Sequence, residues 1–167
     1  PHEVLQFVTV REQELVMGAD DLINVLLASL ERVQAELQGE TPSAKFLWTQ
    51  REKGKYVPLD ESHLSDWVKK ELSRELTQRG VILNREVELR SSTGRGSGER
   101  LDIKVDAVTR DEYGEIDVCR VIIEVKGSWN RGLLTDLEGH VVERYLREND
   151  CMHGIYLVGW FHCARRD

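Results

Sequence analysis

A chain of 167 residues with 40% hydrophobic and 32% charged residues has enough material for one well-formed core, and its apolar runs are far too short to span a bilayer. The formal net charge of −7 argues against a protein that coats nucleic acid by electrostatics alone, although an enzyme with a local basic groove and a metal in its site remains compatible with it. Three cysteines without CxxC spacing fit a reducing compartment, and no charged-then-apolar signal opens the chain, so a cytoplasmic location is expected.

In chain order, Val4 to Val10 reads as a short strand. Asp20 or Asp21 is placed to cap a helix whose apolar stripe is Leu22, Ile23, Leu26, Leu27, Leu30, Val33 and Leu37. Gly39 ends that helix, and Glu40-Thr41-Pro42-Ser43 is a polar link. Phe46-Leu47-Trp48 and Tyr56-Val57, on either side of Glu52-Lys53-Gly54-Lys55, predict a small hairpin. Residues 1–57 carry no recognisable chemistry and are expected to be an N-terminal extension or connector. The first residue is proline rather than methionine, so a piece of a larger protein is expected.

From Pro58 onward the pattern changes. Leu64, Trp67, Val68, Leu72 and Leu76 form the buried stripe of a helix closed by Gly80, and Val81 to Leu89 is a strand. Ser91 to Gly98 holds three glycines and reads as a hairpin loop. Next, Leu101, Ile103, Val105 and Ala107 alternate with Asp102, Lys104 and Asp106, the period of a half-buried strand. A polar turn, Asp111 to Glu115, leads to Val121-Ile122-Ile123-Glu124-Val125-Lys126. A second helix is predicted on Leu133, Leu134, Leu137, Val141, Tyr145 and Leu146. Gly154 to Phe161, apolar on both faces, is predicted to be a fully covered strand parallel to the one before the helix. The expected fold class is α/β: an αβββαβ core over residues 58–167, with a mixed central sheet flanked by helices.

Centring the turn on Tyr113 places Asp102 directly opposite Glu124 on one face, their β-carbons roughly 5 Å apart. Two carboxylates that close repel, and one is driven toward its neutral form unless a cation holds them. A hard divalent ion supplies that compensation with oxygen ligands. Lys126 points to the same side. The plainer alternative is a solvated cross-strand network worth a few tenths of a kcal/mol.

The order of elements, with Gly98-Glu99-Arg100 leading into Leu101-Asp102-Ile103 and then Ile123-Glu124-Val125-Lys126, resembles the PD-(D/E)XK nuclease superfamily, which has the restriction-endonuclease-like fold. The resemblance covers roughly residues 58–163. It implies that Asp102, Glu124 and the Val125 carbonyl hold Mg²⁺ (Mn²⁺ in substitution), and that Lys126 orients or deprotonates the attacking water. It further implies a glutamate on the first helix facing the metal. Glu61, in the phrase Glu61-Ser62-His63-Leu64, is favoured for this over Glu71, and Glu75 also lies near the stripe. Leu101 stands where many relatives have proline, and His140 lies near a position where many have glutamine.

Arg95, Arg100 and Lys104 near the glycine loop, with Trp129, Asn130 and Arg131 after Lys126, cluster beside the proposed metal and are expected to grip a nucleic-acid backbone or stack a base. His140, on the second helix, is a further candidate to bond a phosphate or base, although each alone reads as a surface charge, a core tryptophan or an ordinary helix histidine. Asp106 reads as a solvated strand end rather than a further ligand. Cys151-Met152-His153 and His162-Cys163 have zinc-ligand types, but they flank a strand at opposite ends, too far apart for one coordination shell. The expected activity is divalent-metal-dependent hydrolysis of phosphodiesters, in DNA rather than RNA. The setting implied by the resemblance is the effector domain of a larger restriction or defence protein, with a homodimer left open and no membrane partner. Two other readings stand beside it: an inactive nuclease-like module that binds nucleic acid or protein, and metal-dependent chemistry on a small phosphorylated molecule.

Overall fold

The computed structural model of the chain describes residues 16–40, 42–76, 79–88, 100–110, 113–135, 137 and 151–162, with backbone alone at 86–88, 100 and 101. The elements are helix α1 (Ala19–Gln38), a 3-10 turn (Ser43–Leu47), strands β1 (Trp48–Glu52) and β2 (Lys55–Pro58), helix α2 (Glu61–Leu76), and strands β3 (Val81–Glu88), β4 (Arg100–Arg110), β5 (Ile116–Gly127) and β6 (His153–Gly159). The chain is therefore α/β, with the predicted hairpin β1–β2 and a four-stranded mixed sheet in the order β3-β4-β5-β6. The strand expected at 4–10, the glycine loop at 91–98 and most of the second helix lie outside the described residues; Leu133 and Leu134, expected to begin that helix, form turns.

The register of the central hairpin follows from its alternation and its turn. Gly114 adopts φ +81°, a left-handed conformation that glycine reaches without a side-chain clash, and it closes β4 onto β5. Antiparallel pairing then runs from Arg110 opposite Ile116 to Ile103 opposite Ile123. Extended by one residue, this ladder sets Asp102 beside Glu124. β6 pairs parallel to β5, with Glu124 beside Tyr156 and Gly127 beside Gly159.

One face of the sheet carries Ile103, Val105, Ala107, Val121, Ile123 and Val125, all buried in a core shared with Leu22, Leu26 and Val33 of α1 and with Leu64, Trp67, Val68, Leu72 and Leu76 of α2. Removing each such side chain from water contributes on the order of 2 kcal/mol. Helix α1, although within the span expected to be a connector, is thus part of the same core. Both described helices pack against this face.

Two local expectations are corrected. The N-cap of α1 is Gly18, not an aspartate; Asp20 and Asp21 occupy the first turn, and Asp21 Oδ2 accepts the Met17 N–H at 3.0 Å. Carboxylates there still favour the helix because its first amides carry partial positive charge. β6 is half-buried rather than fully covered, because it ends the order of the sheet and only β5 pairs with it among the described residues.

Candidate metal centre

The site forms where the start of α2 meets the C-terminal end of β5. Asp60 caps α2, accepting the His63 N–H at 3.0 Å and bonding the His63 ring at 2.7 Å, and these contacts hold its carboxyl below the usual range. With the first turn fixed, Glu61 reaches across to the sheet. Its Oε1 accepts the Gly127 N–H at 2.8 Å and the Asn130 Nδ2–H at 2.9 Å. Asn130 is fixed in turn because its Oδ1 accepts the Gly132 N–H at 2.8 Å.

On the sheet, Asp102 Oδ2 accepts the Val125 N–H at 2.9 Å, so the carboxylate leans from β4 onto the backbone of the Glu-x-Lys segment. Glu124 is only 4% exposed. Its Oε1 takes the Lys126 ammonium at 2.9 Å, and its Oε2 is buried without a hydrogen-bond partner. That burial removes the plainer alternative of a solvated strand face. A carboxylate oxygen taken out of water and left bare is unfavourable by several kcal/mol, and a cation is the group that would satisfy it.

The electrostatics follow from this geometry. Burial pushes the Glu124 carboxyl up to about 7, with repulsion from Asp102 and Glu61 adding to it against the pull of Lys126. Burial also raises Asp102, opposed by the Val125 N–H and by the charges of Lys126 and Arg85. Burial works against the Lys126 ammonium, yet its bond to Glu124 and the surrounding carboxylates outweigh that and hold its proton above the ordinary lysine range. Lys126 is thus a fixed positive charge among acids.

Among the described residues, no three His, Cys, Asp or Glu side chains are drawn together closely enough to ligate one ion. Each acid is instead held by its own donor: Asp102 by Val125, Glu61 by Gly127 and Asn130, Glu124 by Lys126. The donor set is nevertheless all hard oxygen, which suits Mg²⁺ or Mn²⁺ rather than zinc.

Of the two favoured first-helix glutamates, Glu61 joins this cluster, whereas Glu71 is buried against Arg74 and lies 3.7 Å from Lys70. Asp106 is not a solvated strand end; it is paired with Lys104 at 2.7 Å and Arg120 at 2.8 Å, contacts that overcome burial and lower its pKa. Among the residues expected to contact nucleic acid, Arg131 is exposed beside the cluster, in a cleft lined by Trp129, Asn130 and Leu134. Trp129 is half-buried, edge-on to Phe161 at 4.8 Å between ring centres. Arg95 and His140, and the Arg100 side chain, lie outside the described residues.

Sequence reasoning gave Asn130 a nucleic-acid contact and missed that its amide holds Glu61. The two residues are 69 positions apart, and no local pattern signals the pairing. Neither protein-family models, curated proteins nor solved structures gave a match to the chain.

Proposed function

We propose that this chain is a divalent-metal-dependent phosphodiesterase, most simply a nuclease acting on DNA. The observation that carries the reading is the bare, buried Glu124 Oε2, next to Asp102 and Glu61 and beside an ammonium that keeps its proton. Asp102, Glu124 and the Val125 carbonyl would hold the ion, with Glu61 facing it. A divalent ion there lowers the pKa of a bound water and offsets charge on a phosphate. Lys126, held protonated, contributes electrostatic stabilisation of the phosphate oxygens rather than acting as a base. Glu61 and Asn130 fix the rim of the site.

A second reading has its own support. The Lys126–Glu124 pair already neutralises one acid, and the carboxylates are separately anchored, as in a nuclease-like fold that binds without cutting. Incubation of the chain with single- and double-stranded DNA and RNA, with Mg²⁺ or Mn²⁺, separates the two. Cleavage that is lost on chelation, and reduced at least 100-fold by Asp102→Ala and by Lys126→Ala, supports the first reading. Binding without nicking under any divalent ion establishes the second.

A further inference from the structure

Arg85 lies on β3 with its side chain 12% exposed, opposite Ile103 on β4, next to the strand residue that bears Asp102. Its guanidinium spans the first turn of α2. Nη1 donates to the Ser62 carbonyl at 2.9 Å, Nη2 donates to Ser62 Oγ at 3.0 Å, and Asp66, one turn on, pairs with the same group. A planar fork that engages three acceptors at once fixes direction as well as distance. The residue it clamps is the immediate neighbour of Glu61.

We propose that Arg85 is the positioning residue of the acid cluster: by pinning the first turn of α2 to β3, it sets Glu61 against Gly127 and Asn130. Without that clamp the helix start keeps the Asp60 cap, the Ser65 hydroxyl on the Glu61 carbonyl and buried Leu64, but loses its tie to β3, and helix ends fray. The positive charge of Arg85 also acts on Asp102, so one side chain serves two of the three acids. Ser62 is the intermediary between Arg85 and Glu61.

The inference rests on the metal-centre reading for its consequence and on the Glu61–Gly127 bond for its test. In Arg85→Met, amide exchange at Gly127, followed by NMR, accelerates at least tenfold and approaches the rate in Glu61→Ala, while Arg85→Lys lies between. Mn²⁺ affinity, read by titration calorimetry, falls about tenfold in Arg85→Met, the effect typical of an outer partner of a ligand. Adding Glu61→Ala to Arg85→Met gives little further loss, whereas a purely structural role makes the two losses add. Asp66→Asn, which removes only the exposed partner, leaves Mn²⁺ affinity within twofold. An unchanged Gly127 exchange rate in Arg85→Met overturns the proposal whether or not metal binds. A wild-type chain that takes no Mn²⁺ sinks the metal-centre reading instead, and the amide rates alone then decide the role of Arg85.

Discussion

Glu124 bears the main energetic conflict of the molecule. An ordinary glutamate titrates at 4.5, and this one is pushed up to about 7 by burial and by two neighbouring acids. Because the folded pKa lies above the unfolded one, the folded chain binds this proton more tightly. Its contribution to stability is therefore most favourable below pH 4.5, declines as pH rises from 4.5 to 7, and is at its least favourable above 7. The displacement amounts to roughly 3 kcal/mol at most. Glu124→Gln removes the charge and keeps the shape, so it should stabilise the metal-free chain by roughly 1–3 kcal/mol at pH 8 and raise Tm by several degrees. At pH 5, where Glu124 is already neutral, the gain should nearly vanish. Thermal melts at the two pH values check this, and an equal or opposite effect at pH 8 refutes it. The same substitution should abolish divalent binding, the signature of a residue kept for function at the expense of stability. A proton held up to about 7 must also leave when a cation takes the carboxylate. Calorimetry of Mn²⁺ binding at pH 6 in buffers of different ionisation enthalpy should report release of close to one proton, falling toward zero by pH 8.

At the scale of elements, the turn after β5 decides whether the first helix and the sheet stay in register. Gly127 lies beside Gly159, and a methyl group on Gly127 would overlap the Trp129 indole, which packs against Phe161. Gly127→Ala should therefore displace Trp129, cost about 1–3 kcal/mol and loosen the bond that Glu61 makes to the Gly127 N–H. A red-shifted indole emission together with a lowered Tm tests the idea; a native spectrum and unchanged Tm count against it. The central hairpin was legible in sequence because two strict alternations and one glycine turn fix a register without help from elsewhere, and a one-residue slip would bury Asp102 and Glu124 in the core. The two described helices, α1 and α2, were legible from their stripes. What was not legible depends on contacts distant in sequence. Whether an apolar strand such as β6 is covered depends on the order of the sheet, and apolar composition alone does not report it. The clamps on Glu61 come from Arg85, Asn130 and the Gly127 amide, three groups scattered over the chain with no shared periodicity. The cap of α1 was misread because either aspartate is a good cap by type, and only the path of the backbone chooses Gly18.

At the scale of the whole molecule, the chain carries a net charge of −7, and its candidate site sets Asp102, Glu124 and Glu61 against Lys126, with Arg85 acting on Asp102. A polyanionic substrate approaching that surface meets repulsion both at long range and at the point of reaction. If the site acts on DNA, the divalent ion must do more than chemistry: it must cancel the local negative charge before the phosphate can dock. Binding and metal loading are then coupled, and by linkage each strengthens the other equally. DNA affinity measured by fluorescence anisotropy should therefore be weak in EDTA and rise at least tenfold on adding Ca²⁺, a hard ion of the same charge. Asp102→Ala should lose most of that increment, while its EDTA value, with one negative charge fewer, is no weaker than that of the unaltered chain. Glu124→Gln makes the sharper case. It removes a negative charge, so simple surface electrostatics would have it bind DNA more tightly under all conditions. Coupling through a bound ion instead requires tighter binding in EDTA and a lost response to Ca²⁺. If Glu124→Gln keeps the full Ca²⁺ response, the ion acts at the DNA or elsewhere on the chain, and the paired acids are not its seat.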